Sequence, residues 1–510
     1  MTHPADWDVA EAAGALRAGR ITSLELTEAC LARVVDRDPA YGAWIRVYPD
    51  DARAAARAAD AVLARGEGGP LTGVPLGLKD VIGVSGLPLT ADSAVLEGNA
   101  ATEDSTLWTR LRDAGMVLIG HLHCGEFANG TWGVNPWSAE FSPGGSSSGN
   151  GIALAARMIP ATVGSDGRGS IRMPAAFNGV TGMKPTYGLV STAGCVPITF
   201  SYDTLGPMAR SAADCSLLLS AMAGRDPRDR TTLTQPADLG PFPVTPRPGQ
   251  RPAAGIRIGI PRFPGEPMSD GISTVYERFQ KDLVGLGAEL VPFDWPVNPL
   301  EPEIGRLGDY VHILGAELLY IHEQFADREH LYRDDWRQTI SMYQQVGSAV
   351  DYVRAQGKRA EYVATWHRIF AEHQLDAVIH PASLDELFRS APLVEIFNSK
   401  AIDQPLEMPR MLFGCWNDAN FPALAVPAGL SPTDGSPVGM QIIGTPYTDA
   451  TILQLGIDIQ SATGHHLEQP PNMGTAEPYQ SPQRYEQHTV QPAFLRPANP
   501  VDPLIPLATR

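Results

Sequence analysis

Two serine-bearing turns and one lysine are the residues of this chain best suited to chemistry. The run Ser142-Pro143-Gly144-Gly145-Ser146-Ser147-Ser148-Gly149 is followed, 24 positions after Ser146, by Ser170 within Gly164-Ser165-Asp166-Gly167-Arg168-Gly169-Ser170-Ile171-Arg172. Lys79 stands upstream in Gly77-Leu78-Lys79-Asp80. Turns built of glycine and serine bring hydroxyls close to backbone N–H donors, and a lysine stripped of water gives up its proton and becomes a base. Together these are the parts of a centre in which a serine attacks a carbonyl carbon without a histidine. The lysine stands out from its background: of 39 Lys and Arg residues only five, at 79, 184, 281, 358 and 400, are lysine. Arginine cannot serve as a base in a protein. The plain alternative is a Lys79 that pairs with a neighbouring carboxylate such as Asp80.

The glycine–serine run admits three readings. Gly145-Ser146-Ser147-Ser148-Gly149 matches G-x-S-x-G, the strand-to-helix elbow that presents a nucleophilic serine, here Ser147. That elbow follows a buried apolar strand, whereas Pro136 to Pro143 is polar and ends in a proline unsuited to a central strand. A glycine-rich turn that opens a helix is also a nest for phosphate. A phosphate loop carries its lysine directly after the last glycine, and Asn150 stands there instead. In the third reading the run is one of two serine turns that converge on Lys79.

With segments further along, the third reading resembles the amidase signature family. The likeness rests on Gly73-Val74-Pro75-Leu76-Gly77-Leu78-Lys79-Asp80, Ser142 to Gly149, Gly164 to Arg172 with Met173-Pro174-Ala175-Ala176, and Gly182-Met183-Lys184-Pro185-Thr186. Asp203 to Arg210, Asn417 to Pro427 and Pro437 to Gly444 extend it, in order, over about residues 10 to 465. The resemblance implies Ser170 as nucleophile, Ser146 as a bridging serine with a cis peptide bond, and Lys79 as base. It also implies an oxyanion hole of the backbone N–H groups of Gly167, Arg168, Gly169 and Ser170, with Ser147, Asp166, Arg172 and Asp203 in support. On this assignment neutral Lys79 takes a proton from Ser146, Ser146 takes one from Ser170, and Ser170 attacks; the reverse relay protonates the leaving nitrogen. A free lysine has a pKa of about 10.4, so the base must be desolvated and activity should favour high pH. Two departures stand out. Gly167-Arg168-Gly169-Ser170 replaces the family's usual Thr-Gly-Gly-Ser, so the Arg168 side chain must point away from the hole or line the entrance, and Asn420 replaces a common glycine.

The implied activity is hydrolysis of the carbon–nitrogen bond of a small amide through a Ser170 acyl-enzyme, with no metal and no organic cofactor. A carbamate or urethane is the nearest alternative, because the same relay attacks it. Glutamine, as used by tRNA-dependent amidotransferases, is a further one, and a catalytically silent binding protein is the reading from a different class. Aromatics over 302–374 (Tyr310, Tyr320, Phe325, Tyr332, Trp336, Tyr343, Tyr352) favour a bulky or aryl substrate over glutamine, although such residues are more often ordinary core. His121-Leu122-His123-Cys124 holds soft ligands, but alternate spacing at a strand end reads as local packing rather than a metal site. Glu126 reads as structural, Asp203 as a hydrogen-bond partner of the serine turns, and His465-His466 as solvated.

A frame must bring these parts together. The sequence has 510 residues, 43% of them hydrophobic, enough for a large core. From about 73 to 210 strands and helices alternate: Val74 to Val84, Met116 to Ile119 and Ala161 to Val163 read as strands or strand and turn, Thr106 to Ala114 and Gly149 to Arg157 as helices. The pattern recurs at Arg257 to Ile260, Asp270 to Leu286, Glu289 to Val291, Ala377 to Ile379, Ala423 to Val426, Met440 to Ile443 and Asp449 to Ala462. Thr22-Ser23-Leu24-Glu25 matches a capping box, and a second early helix runs from Asp50 to Arg65. The expected fold class is α/β: the amidase signature fold, a large twisted mixed sheet, mostly parallel, flanked by helices. Residues 1–466 form the catalytic domain, with a helical excursion over about 300–375, a Pro/Gly-rich crossover over 235–255, and an irregular Pro/Gln-rich tail over 467–510. A net charge of −18 without basic clusters argues against nucleic acid. Five scattered cysteines argue for a reducing compartment, and the lack of a signal segment or an 18-residue apolar run for a cytoplasmic protein with no membrane partner. The expected partner is a small-molecule amide or carbamate, with a homodimer left open.

Overall fold

The computed structural model describes residues 3–304, 308–346, 348–387 and 410–471. Eleven strands join in one sheet: β1 (Trp44–Val47), β2 (Pro75–Lys79), β3 (Val117–Leu122), β4 (Ala161–Asp166), β5 (Thr181–Lys184), β6 (Thr204–Ala209), β7 (Arg257–Arg262), β8 (Glu289–Asp294), β9 (Ala377–Pro381), β10 (Ala423–Leu430) and β11 (Pro437–Ile443). Their order across the sheet is β1-β3-β2-β4-β6-β5-β10-β11-β9-β7-β8. The expected mixed α/β sheet is present, but it is not mostly parallel. Only β3–β2, β2–β4, β9–β7 and β7–β8 run parallel, while the six remaining pairs are antiparallel. The central strands β4, β6, β5, β10 and β11 pair antiparallel; β10 turns straight back into β11 through the tight turn at 431–436, while the other central pairs are joined by longer connections.

Strands β2, β4, β6, β5 and β11 are buried along their whole length. Burial on both faces needs helices on both sides, and the sequence supplies them with clear stop signals. Helix Ser23–Tyr41 begins in the expected capping box, in which Thr22 and Glu25 satisfy each other's backbone N–H, and it ends at Gly42 with φ 63°. The second early helix runs Pro49–Ala64. Asp60 from it accepts from the backbone N–H groups of Ser23 (2.6 Å) and Leu24 (3.1 Å), which locks the pair together.

The excursion over about 300–375 is helical, as expected, with helices Tyr310–His322, Asp334–Val346 and Ala349–Glu372. Most of its aromatics are core: Phe127 gathers Phe325, Tyr332 and Trp336 around its ring at 5.8, 5.9 and 6.3 Å between centroids. Residues from Gln235 to Ile256 are irregular and carry the chain to β7. The expected tail over 467–510 lies outside the described residues beyond 471. No helix among the described residues is long and apolar enough to cross a membrane.

Candidate active site

Lys79 ends β2, a strand with no exposed residue, so its side chain starts inside the protein. Strand β4, hydrogen-bonded to β2 on one side, delivers Ser165 and Asp166 at its own end. The Gly145–Ser146 peptide is cis, as the resemblance implied, and Ser146 is buried just before helix Ser148–Ala155. Lys79 Nζ lies 2.8 Å from Ser146 Oγ and 2.9 Å from Ser165 Oγ. The Ser165 carbonyl is a third, longer contact at 3.5 Å.

The alternative of a Lys79–Asp80 pair fails. Asp80 is engaged elsewhere, with Arg46 Nη1 (2.9 Å), Thr90 Oγ1 (2.6 Å) and the Asp92 N–H (3.1 Å). All of Lys79's described hydrogen bonds go to serines. Burial therefore dominates its titration, lowering the pKa from 10.5 to about 8 against the weaker opposing pull of surrounding acidic groups.

The two serine turns are joined through the backbone, since the Ser147 N–H donates to the Ser170 carbonyl at 3.0 Å. Ser147 itself is fully buried and donates to the Ser165 carbonyl at 3.2 Å, which removes it as an elbow nucleophile and makes it a strut between the turns. The N–H groups that a phosphate nest would use are taken as well: that of Gly149 donates to the His123 carbonyl at 3.1 Å. Ser170 is half-buried at the rim. Among the described residues its hydroxyl has no hydrogen-bond partner, so the Ser146–Ser170 contact that the resemblance implied is not present.

The turn that carries Ser170 hangs on Asp166. Its carboxylate accepts the N–H groups of Gly169 (2.7 Å) and Ile171 (3.1 Å), and the Arg172 guanidinium grips it twice, Nε to Oδ2 and Nη2 to Oδ1, both at 3.0 Å. Burial pushes the Asp166 carboxyl up, but Arg172, with help from Lys184 and the Asn417 side chain, holds it well below its ordinary range. Two expectations change here. The Gly169 N–H is committed to Asp166, which leaves the N–H groups of Gly167, Arg168 and Ser170 for an oxyanion. Asp203 does not hydrogen-bond the serine turns; it closes its own loop through the N–H groups of Ile198 (2.7 Å) and Thr199 (3.0 Å). It still lies beside Gly167, where an added Cβ would meet its Oδ1 at 3.6 Å.

The Arg168 side chain points away from the Ser170 turn, toward Glu301, Asp418 and Tyr310. Its Nη2 donates to Glu301 (2.6 Å), its Nη1 to Asp418 (2.9 Å), and its guanidinium lies 3.6 Å from the centre of the Tyr310 ring. Three further residues matter that the sequence reading does not single out. Ser165 is the second partner of Lys79, while Asn417 and Gln441 complete the Arg172 cage at 2.6 and 2.8 Å. All three stand inside segments that carry the family resemblance, so the signal is present in the sequence without a geometry to interpret it.

The remaining sequence candidates settle as structure. His123 pairs with Asp92 (2.9 Å), and His121 lies between Tyr48 (2.8 Å) and the Ile82 carbonyl (3.1 Å). No group of three metal-type ligands occurs among the described residues. Glu126 accepts from Ser93 (2.6 Å) and from the Arg333 N–H (3.0 Å), the structural role expected of it. His465 and His466 are half-buried rather than solvated, and His465 pairs with Glu468 at 3.0 Å. All five cysteines are buried and free.

A profile of the family described as Amidase matches residues 25–453 of the chain. The chain belongs to the amidase family. It is 38% identical over 502 residues to the A subunit of the glutamyl-tRNA(Gln) amidotransferase of Chloroflexus aurantiacus, a match that spans 92% of this chain and 99% of that protein. The protein of the same name from Halorhodospira halophila is 37% identical, over 91% of this chain and 98% of its own. Among solved structures the peptide amidase of Stenotrophomonas maltophilia superposes with a TM-score of 0.76 at 29% identity, covering 92% and 99% of the two chains. The fold is thus the amidase signature fold, and the chain is an amidase-family enzyme acting at carbon–nitrogen bonds of amides.

Proposed function

We propose that this amidase-family chain hydrolyses the carbon–nitrogen bond of a carboxamide through an acyl-enzyme on Ser170. The observation that carries this reading is the buried amine of Lys79, bonded to Ser146 at 2.8 Å and unpaired with any described carboxylate. When substrate enters, the half-buried Ser170 side chain turns onto Ser146. Lys79 takes the Ser146 proton as Ser146 takes that of Ser170, and Ser170 Oγ bonds to the amide carbon. The carbonyl oxygen takes the negative charge and is held by the N–H groups of Gly167, Arg168 and Ser170; one such donor is commonly worth about 3 to 4 kcal/mol. The tetrahedral intermediate collapses as the carbon–nitrogen bond breaks, with the leaving nitrogen receiving the proton that passes back from Lys79 through Ser146. Water, activated by the same relay, then releases the acid.

A cleft of about 770 Å³ has Ser165, the partner of Lys79, and Asp203 in its wall beside the Ser170 turn, and it has room for a substrate of some size. Tyr187, Phe200, Tyr320 and Tyr352 line it, and Phe200 and Tyr320 stand exposed with ring centres 6.0 Å apart. These favour an amide bearing a bulky or aryl group. Carbamates are open to the same attack. The second reading is glutamine hydrolysis that feeds ammonia to a protein partner, and it is favoured by the relatives named as amidotransferase subunits. Under that reading the chain works within a complex.

A panel of aryl amides, aliphatic amides, aryl carbamates and glutamine, offered to the purified chain, tests these readings. Turnover of an aryl or bulky amide by the isolated chain supports the first, whereas glutaminase activity that emerges only with partner proteins supports the second. Labelling of Ser170 by a serine-reactive fluorophosphonate, abolished in Ser170→Ala, is expected under both. Labelling that persists in Ser170→Ala would overturn the nucleophile assignment.

A further inference from the structure

Arg168 occupies a position where the resemblance leads one to expect glycine, in a turn whose peptide groups are the candidate oxyanion donors. Its side chain is engaged at every end. The guanidinium lies between two carboxylates, Glu301 (2.6 Å) and Asp418 (2.9 Å), over the face of Tyr310 at 3.6 Å. Asp418 is itself steadied by Asn298 Nδ2 at 2.9 Å. Room for the group is made by Gly414, since a Cβ there would overlap the guanidinium. Burial alone would favour discharge of the arginine, but the two carboxylates more than offset it and raise its pKa above the ordinary value. The partners come from distant parts of the chain: Tyr310 opens helix Tyr310–His322, Asp418 closes helix Gly414–Asp418, and Glu301 stands ahead of the former.

We propose that Arg168 is a positioning residue, whose clamp by Glu301, Asp418 and Tyr310 fixes its own peptide so that the Arg168 N–H faces the oxyanion. The inference rests on the reading of Ser170 as nucleophile and goes beyond it. Without the clamp the turn is anchored from inside, where Asp166 holds the N–H groups of Gly169 and Ile171, the Ser147 N–H holds the Ser170 carbonyl and Asn417 Nδ2 holds the Asp166 carbonyl. Those bonds bracket Ser170 and fix the Asp166–Gly167 peptide, but no described hydrogen bond holds the Gly167–Arg168 peptide, which carries the Arg168 N–H. The clamp supplies the missing anchor from outside, using a side chain where a glycine would leave the backbone free to swivel. It also joins the turn to the helical excursion, because the Arg168 guanidinium lies on the Tyr310 ring at the start of helix Tyr310–His322. Preorganised donors gain their effect from being fixed before charge develops, so a loosened turn should act on the transition state more than on binding.

The test compares the native chain with Arg168→Met, which keeps the stem and removes the fork, Arg168→Lys, and Glu301→Gln. Each is assayed for the second-order rate of fluorophosphonate labelling, for kcat and KM on the best amide of the panel, and for thermal midpoint. Arg168→Met is expected to lower the labelling rate and kcat about 10- to 100-fold with KM within about threefold, since its loss is one of aim. Arg168→Lys should recover little, because a point charge cannot span both carboxylates. Glu301→Gln should fall between Arg168→Met and native. The pH at which activity rises should stay where it is, as Lys79 is untouched. A folded Arg168→Met with native labelling rate and kcat overturns the proposal, as does a loss confined to KM. Should Arg168→Met fail to fold, Glu301→Gln decides alone: native rates refute the clamp, a kcat-only loss upholds it. If the native chain is not labelled at Ser170, the underlying nucleophile reading has failed instead, and the two failures are thereby told apart.

Discussion

At the scale of single residues, the proposed chemistry turns on how an ammonium is kept from holding its proton. Burial lowers the Lys79 pKa from 10.5 to about 8, and only the neutral amine can accept from Ser146. Activity is therefore expected to climb with pH through about 8 and to level off above it, a limb that a pH–rate profile would display. Lys79→Ala should cut turnover by orders of magnitude; retained activity would remove it as base. The same shift has a stability sign. The folded chain gives up the proton near pH 8 while the unfolded chain keeps it to about 10.5, so the unfolded state binds more protons between these values and stability rises with pH across them. Below pH 8 the folded protein carries the buried charge at a cost of about 3 kcal/mol. Lys79→Met should accordingly be inactive yet more stable than the native chain at pH 7, by about 1 to 3 kcal/mol, a trade of stability for function. Denaturant unfolding at pH 7 measures it, and a clearly less stable variant would mean that the amine's bonds to Ser146 and Ser165 outweigh its desolvation.

At the scale of elements, the helical excursion is fastened to the core partly by a carboxylate. Glu126 accepts from Ser93 and from the Arg333 N–H just ahead of helix Asp334–Val346, and burial raises its pKa from 4.5 to about 7. The folded chain thus keeps this proton longer than the unfolded one. The stabilising contribution is complete below about 4.5 and is lost as pH rises through about 7. Glu126→Gln should flatten that dependence, gaining about 2 kcal/mol on the native chain between pH 5 and pH 8. An offset between the two proteins that stays constant over that range would show that the carboxyl does not titrate there. Much of this layer was legible in the sequence, because capping residues and apolar periodicity act locally. The capping box at Thr22 and Glu25 and the helices near 106–113 and 449–463 fall within a residue or two of their expected ends. Strands β5 and β6 escape such a reading. Gly182, Gly206 and Pro207 interrupt their apolar pattern, and they persist as central strands because both faces are covered by neighbours. The antiparallel majority was equally hidden, since strand direction depends on which distant strand lies alongside. In the site, residue types and order could be read along the chain, but not that Gly169 lends its N–H to Asp166 or that Asp203 turns to its own loop.

At the scale of the molecule, the site lies where distant parts of the sheet and its covering helices meet, and one arginine ties them. Arg172 is fully buried in helix Arg172–Phe177 and reaches Asp166 at the end of β4, the Phe413 carbonyl (3.0 Å), Asn417 of helix Gly414–Asp418 (2.6 Å) and Gln441 of β11 (2.8 Å). Asn417 in turn donates to Asp166 Oδ1 at 2.9 Å, closing the ring. Asp166 is fully buried too, so water cannot restore the solvation it has lost. Removing the cation alone should leave a carboxylate uncompensated, and Arg172→Met is expected to cost about 3 to 5 kcal/mol in denaturant unfolding. Asp166→Asn with Arg172→Met should be less damaging than the sum of the two single changes, because the double variant leaves neither member of the pair buried without its partner. That non-additivity separates a charge-pair stitch from simple loss of packing, for which the two costs would add. The double variant should nonetheless stay inactive, since the Gly169 and Ile171 amides would lose the ionised carboxylate that shapes the Ser170 turn. A fold recovered without function is the outcome that places this pair in both the architecture and the site, and native-like activity in the double variant would sink the second half of that claim.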